Sequence, residues 1–300
     1  MRRVKVIAWA VLLCAPLSAG AGLDVRHNET PIHIAPNPEA IARIPAHFQF
    51  VQPGYLTVAT AANNSPPIAL WSSDNTTLIG SDPDIARLLA ESLGLKLKLV
   101  PAAWEDWPLG IRAGRYDVAM FNIAVTEARK QSFDFATYRA DHHAFAVKAD
   151  SAITAITRRE DIAGKRIIVG SGTNQEKILL AWDAENRAHG LAAVQPLYLS
   201  DDASATLTLL AGRADATFGP QAMAAWKAAS RGQTKVVGQG PYRAWVAVTT
   251  KKGNGLVAAL QSAIEGAIQG GQYQQVLTRW GEQQEAVAHS QINPPASIEP

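Results

Sequence analysis

An α/β fold follows from three features of the sequence. Apolar residues make up 47% of the 300 residues and charged residues 18%, enough to bury a sizeable core. Short strand-like runs recur along the chain, each followed by a segment whose apolar residues have helical spacing. Helical segments close on glycine, as at Gly94 and Gly212. Strand, helix and strand in succession imply right-handed parallel units. In such folds ligands sit at the carboxyl ends of the strands, often between lobes.

The elements come in order after an N-terminal leader. Arg2, Arg3 and Lys5, the short apolar run Val6 to Leu17 and the Ala19-Gly20-Ala21 site read as a secretory signal over residues 1–21. The run is too short to span a bilayer, and the chain's single cysteine, Cys14, lies inside it. Cleavage leaves 25 basic residues against 26 acidic ones, a near-neutral chain exported to the periplasm. That balance excludes a strongly basic nucleic-acid binder, and one cysteine excludes a disulfide framework or a cysteine zinc site. Residues 24–50 carry four prolines and no clear period, which predicts an extension lying along the surface. Tyr55–Thr60 is a strand. Asp82 suits a helix N-cap with Pro83 in the first turn, and Ile85, Leu88, Leu89 and Leu93 form the buried stripe. Leu95–Leu99 alternates as a strand. Further strands are expected at 115–121, 165–169, 215–218 and 244–249, with helices near 175–182, 203–211 and 256–268.

Motifs along the chain then give a resemblance. Gly54-Tyr55-Leu56-Thr57-Val58-Ala59-Thr60, Gly80-Ser81-Asp82-Pro83-Asp84, Gly114-Arg115-Tyr116-Asp117, Thr126-Glu127-Ala128-Arg129 and Asp134-Phe135-Ala136 occur in order. Gly172-Thr173, Gly212-Arg213-Ala214-Asp215-Ala216, Gly271-Gln272-Tyr273 and Trp280-Gly281 follow. In these, residues 54–281 resemble the family-3 periplasmic solute-binding proteins, which serve polar amino-acid ABC transporters. The resemblance implies a two-lobed, type II periplasmic binding protein fold with two crossover strands as its hinge. Lobe 1 would comprise 50–143 plus 245–285 and lobe 2 146–240, between an N-terminal extension (22–49) and a C-terminal tail (286–300). It implies a non-catalytic, monomeric binding protein that encloses a small carboxylate-bearing solute and presents it to an ABC transporter permease. No cofactor, metal or nucleic acid is expected.

Candidate ligand-binding residues follow from the same correspondence. Arg129, beside the N-cap candidate Thr126, offers a planar fork of donors that matches a carboxylate. Trp104 matches the family's aromatic wall against the ligand, with Trp107 and Trp71 as competitors for that role. The turn before the 175–182 helix offers the Thr173 hydroxyl, Asn174 and its backbone amides to an anion. The departures from the family are Ala62, Ser65 and Ile68 in the first-lobe loop, Asn122 where Gly or Ser is common, Ala124 where a hydroxyl residue is usual, and Pro220, preceded by Gly219, where an acid normally holds the ligand's ammonium. The carboxylate clamp is kept and the ammonium clamp is lost, so the expected ligand is not a standard α-amino acid; otherwise aromatics or another acid, such as Asp74 or Asp141, must hold the cation. His142-His143 are expected as one buried and one solvated residue rather than a metal site. Glu105-Asp106 and Asp201-Asp202 suit caps and solvated loops. Two alternatives remain: a cyclohexadienyl-dehydratase-like enzyme on the same fold, and a binding module serving a dehydrogenase or sensor. The two chain ends would either make such partner contacts or lie free.

Overall fold

The computed structural model describes residues 25–298, so the signal reading of 1–21 and Cys14 lie outside the described residues. The first part of the chain forms α1 (Pro38–Ala42), β1 (Tyr55–Ala61), β2 (Leu70–Trp71), β3 (Leu78–Ile79), α2 (Ser81–Ser92), β4 (Lys96–Ala102), α3 (Trp107–Arg112) and β5 (Val118–Met120). The long strand β6 (Phe133–Lys148) leads to β7 (Arg166–Val169), α4 (Asn174–Ala188), β8 (Gln195–Tyr198), α5 (Asp202–Leu210), β9 (Ala216–Pro220) and α6 (Gln221–Arg231). A second long strand, β10 (Thr234–Lys251), returns to α7 (Val257–Gly270), α8 (Gln272–Trp280) and the short β11 (Ser297–Ile298).

One sheet runs through both lobes in the order β4-β1-β5-β10-β6-β9-β7-β8. At one end β1 pairs in parallel with β4 and β5, and at the other β7 pairs in parallel with β8 and β9. The antiparallel pair β6 and β10 joins the two ends, and its register slips near the middle, between Gln239 and Arg243. Strands of 16 and 18 residues can reach from one lobe to the other because each residue adds about 3.3 Å.

In the first lobe α2 lays Ile85, Leu88, Leu89 and Leu93 against the sheet, all at most 3% exposed, and burial of each stabilises the fold by about 2 kcal/mol. Leu256, Leu260 and Ile264 of the 256–268 segment join the same core with Trp280. The second lobe packs Phe145, Ile167, Val169, Ile178 and Phe218 under α4.

Asp82 is not the helix cap its position suggests. The N-cap is Gly80, at φ 136° and without a side-chain cap hydrogen bond; a Cβ there would lie 2.4 Å from the Ile68 carbonyl oxygen. Asp82 turns inward instead, accepting from Asn122 N at 2.9 Å and from Tyr138 Oη at 2.5 Å. The predicted strand from Arg115 starts only at Val118, because Asp117 is buried and its carboxylate receives the amides of Val51 and Thr57 at 2.9 and 2.7 Å. Strand β10 is three times the length expected from 244–249, since its first half carries no steady alternation.

Among the described residues, the segment before β1 and the segment after α8 are both held. Asn37 caps α1 through the amides of Glu39 and Ala40, and Ala40 is fully buried. Partly buried Ile32, Ile34, Phe48 and Phe50 cover the first-lobe core. The proline-containing tail does not lie free: Thr137 N donates to Gln291 O, Asn293 N to Phe135 O, and β11 pairs with Arg243 and Ala244 of β10.

Candidate functional site

A cavity of about 220 Å3 lies between the lobes. Its first-lobe wall includes Ser65, Ile68, Trp104 and Asn122, and its second-lobe wall includes Thr173 and Gly219. Of the remaining candidates, Arg129, with Trp104, lines an adjoining depression bounded by Gly172. Ala124 and Asn174 are buried beside the cleft without lining either space.

Arg129 opens a short 3-10 turn, with its N–H on Thr126 Oγ1 at 3.1 Å. Its guanidinium donates to Ala124 O at 2.7 Å and, across the cleft, to Gly172 O at 2.9 Å. Its charged carbon stands 5.2 Å from the Trp104 ring centroid and 5.8 Å from that of Trp107. No carboxylate pairs with it among the described residues: Glu127, the obvious candidate, is taken by Lys130 at 2.7 Å. Burial pushes the guanidinium down to about 10, so it remains charged at neutral pH.

The three tryptophans divide. Trp104 faces the cavity and donates its indole N–H to Ser171 O across the cleft at 3.0 Å. Trp107 is 1% exposed and packs on Phe133, with ring centroids 5.0 Å apart. Trp71 donates to Ala62 O at 3.3 Å and does not line the cavity. Asn63 supplies a further cross-cleft bond, from Nδ2 to Ser200 O at 3.0 Å.

On the second lobe the turn is organised differently from the expectation. The Thr173 hydroxyl caps α4, accepting from Glu176 N at 3.1 Å while donating to Gly170 O at 2.7 Å. The Gly172 amide is taken by Glu176 Oε2 at 2.6 Å. A carboxylate of the chain itself therefore sits on the amide that the sequence assigned to an anion. Asn174 Nδ2 lies 2.9 Å from His143 Nε2 and Gln175 Nε2 lies 3.1 Å from His143 Nδ1. His143 is 1% exposed and His142 is half-buried; burial lowers the pKa of His142, with the Arg243 charge adding to the effect. Among the described residues no group of three or more His, Cys, Asp or Glu is placed to hold a metal ion.

Asn122 lines the cavity, yet its side chain belongs to a buried polar network. Its φ of 53° is left-handed, which explains why glycine suits this position and why asparagine replaces it at little cost. Its amide oxygen accepts from Arg139 Nη2 at 2.5 Å and its Nδ2 donates to Asp141 Oδ2 at 3.1 Å. Arg139 is fully buried, 3.2 Å from Glu282 and also paired with Glu285. Burial raises Asp82, Glu282 and Glu285, against the pull of Arg139; Glu282 reaches about 7.

The acid positions are as apolar as the sequence implies. Pro220 ends β9 opposite His143 and, with Gly219, forms cavity wall. A Cβ on Gly219 would meet nothing within 4 Å. Ser65 donates to Asn63 Oδ1 at 3.1 Å. Asp74 holds a turn with Ser72 and Thr76 and does not line the cavity. Asp201 and Asp202, read from the sequence as suiting a cap or loop, and Lys227, which the sequence did not single out, do line it. Asp201 caps α5 through Ser204 N at 2.7 Å, and Asp202 pairs with Lys227. Only their adjacency after a strand was visible, and that is the pattern of an ordinary cap.

Similar proteins fit this geometry. The model of the bacterial extracellular solute-binding proteins, family 3, matches residues 56–283. The L-cystine-binding protein TcyJ of Escherichia coli is 28% identical over 218 residues, covering 72% of this chain and 78% of that one. An ancestral arginine-binding protein, solved bound to arginine, superposes with a TM-score of 0.68 at 26% identity, over 76% of this chain and 98% of the other. Cyclohexadienyl dehydratase of Pseudomonas aeruginosa is 29% identical over 135 residues, 44% of this chain and 50% of that one. The relatives matched over most of their length are thus binding proteins, and the enzyme is matched over half. The fold is the two-lobed type II arrangement, and among the described residues no helix is long and apolar enough to cross a membrane. Together the motifs, the paired lobes and the family match make this chain a member of the bacterial extracellular solute-binding proteins, family 3.

Proposed function

We propose that the protein captures a small carboxylate-bearing solute, amino-acid-like but without a free α-ammonium, between its lobes in the periplasm. It acts as a monomer and hands the solute to the permease of an ABC importer. The observation that carries this reading is Arg129: a charged guanidinium at the cleft, flanked by two indoles, with carbonyls and no carboxylate as partners among the described residues. A ligand carboxylate supplies the missing counter-charge and replaces the bond to Gly172 O. Trp104 forms the wall against the rest of the ligand. Pro220 and Gly219 offer an ammonium nothing to pair with, and the two acids that line the cavity are engaged, Asp201 with Ser204 N and Asp202 with Lys227; an unpaired ammonium in a closed cleft costs several kcal/mol.

The cross-cleft bonds of Trp104, Arg129 and Asn63 favour a closed arrangement that ligand contacts on both lobes would stabilise further. Calorimetric titration with keto acids, opine-like conjugates and free amino acids tests the reading. Binding of the first two classes and not of the third supports it; tight binding of a free amino acid overturns it.

The partial match to cyclohexadienyl dehydratase supports a second reading, dehydration of a carboxylated ring held at Arg129. Turnover of a cyclohexadienyl acid, followed by the absorbance of its aromatic product, would favour it.

A further inference from the structure

Beyond the cleft, the cavity continues beneath α5 and α6 of the second lobe. It is lined there by Ala205, Leu209, Phe218 and Met223 and reaches Thr234 at the far end. Pro220 stands at the cleft, and Thr217, three residues away along β9, also lines the space. None of the 11 residues of α6 is fully buried, although the helix covers β9 and β10. Its Trp226 packs against the first-lobe core, 6.2 Å from the Trp280 ring, while Met223, Ala224 and Lys227 line the cavity. Asp202 of α5 and Lys227 of α6 tie the two helices together across it.

The recess has a built polar end. Thr234 is 5% exposed, and its Oγ1 has no hydrogen-bond partner among the described residues. A buried hydroxyl without a partner is costly and calls for one. The whole cavity, cleft and recess together, measures about 220 Å3, against the roughly 150 Å3 with which an apolar cavity accepts benzene.

We propose that this recess takes the distal arm of the ligand, a ring-sized apolar group ending in a hydroxyl or carbonyl that bonds Thr234, while the carboxylate at the other end is held by Arg129. The proposal rests on the carboxylate reading of the cleft and adds the chemistry of the rest of the ligand. Gly219 and Pro220 are then the opening through which the arm passes, and the acid usual at that position would bar it.

Three probes test this on the full purified protein: propanoate, 3-phenylpropanoate and 3-(4-hydroxyphenyl)propanoate. The aryl acids should bind at least tenfold more tightly than propanoate, and the hydroxylated one most tightly. Ala205→Phe fills the recess and should remove that advantage without weakening propanoate. Ala224→Phe does the same from the half-exposed side of α6, should Ala205→Phe fail to fold. Thr234→Val should erase the preference for the hydroxylated ring alone. Equal affinity for propanoate and the aryl acids, or filled variants that bind aryl acids as the parent does, would overturn the proposal. Aryl-acid binding that is sensitive to Ala205→Phe but indifferent to Arg129→Met would refute the carboxylate reading and leave the recess standing.

Discussion

Replacing Arg129 with methionine removes the charge and the donors while keeping an apolar chain against Trp104 and Trp107. The fall of the guanidinium pKa from its ordinary value to about 10 corresponds to about 3 kcal/mol of disfavoured charge, trimmed to about 2 kcal/mol by the solvent contact the head group keeps. Methionine relieves that cost. It forfeits the bonds to Ala124 O and Gly172 O, worth about 1 kcal/mol each. The two effects offset, so the ligand-free protein should change in stability by no more than about 1 kcal/mol, or about 2–4 °C in Tm. Binding has no such compensation. Losing one partner of a desolvated charge pair costs about 2–5 kcal/mol, or about 30- to 4,000-fold in Kd. Differential scanning calorimetry of the free protein and isothermal titration with a bound carboxylate measure the two halves. A free protein that melts more than 10 °C lower while still binding would make Arg129 a structural residue and refute the argument.

Three further outcomes follow from the same structure. Glu176→Ala frees the Gly172 amide at the start of α4, and carboxylate ligands should then bind a few-fold more tightly, since the amide and helix dipole contribute about 0.5–1 kcal/mol; unchanged titration isotherms would show that the ligand does not use that amide. Glu282 is raised from 4.5 to about 7 in the folded state, so the folded protein binds its proton more tightly than the unfolded chain does. Its stabilising contribution is full below pH 4.5 and is lost as the pH rises through about 7; Asp82 and Glu285, also raised, act with the same sign. The Tm should therefore fall between pH 5.5 and 8, and Glu282→Gln, which keeps the Ser81 bond, should flatten that slope; a Tm that rises across the interval would contradict the assignment. Arg139→Met leaves the buried carboxylates without their cation and should lower stability by about 3–5 kcal/mol in denaturant unfolding, while a loss below 1 kcal/mol would mean that those groups are neutral.

The legible parts of the fold were those written in periodic runs. Ile85, Leu88, Leu89 and Leu93 announced α2, and Leu256, Leu260 and Ile264 announced α7, because each stripe faces one core. Strand β6 and the first half of β10 were not legible as strands. Buried on both faces, or twisted through the hinge, they show no alternation, and β6 carries Arg139, Asp141 and His143 inside it. Asp82 was misread for a related reason. A carboxylate in the first turn of a helix looks like a cap, and nothing local reveals that Tyr138 and Arg139, more than fifty residues away, will draw it inward. At the cleft, Arg129 and Trp104 were legible as candidates because they stand where the family resemblance places ligand contacts. Thr173 and Asn122 line the cavity, while the bonds of the Thr173 hydroxyl and the Asn122 amide go to the protein. The recess under α6 left no trace in the sequence beyond Gly219-Pro220, since a cavity is a property of what the surrounding side chains fail to fill.

The most direct test of the carboxylate reading is a thermal-shift titration of the protein with two matched sets of compounds. One holds free amino acids, L-arginine and L-cystine among them; the other holds keto acids, opine-like conjugates and aryl-alkyl acids. At 100-fold over its Kd a ligand adds about 2.7 kcal/mol, a rise of roughly 5–10 °C for a chain of this size. That rise is expected in the second set, with its loss in Arg129→Met and no response in the first set. A rise confined to L-arginine, L-cystine or another free amino acid would contradict it, and would point to a cavity acid such as Asp201 as the partner of the ammonium.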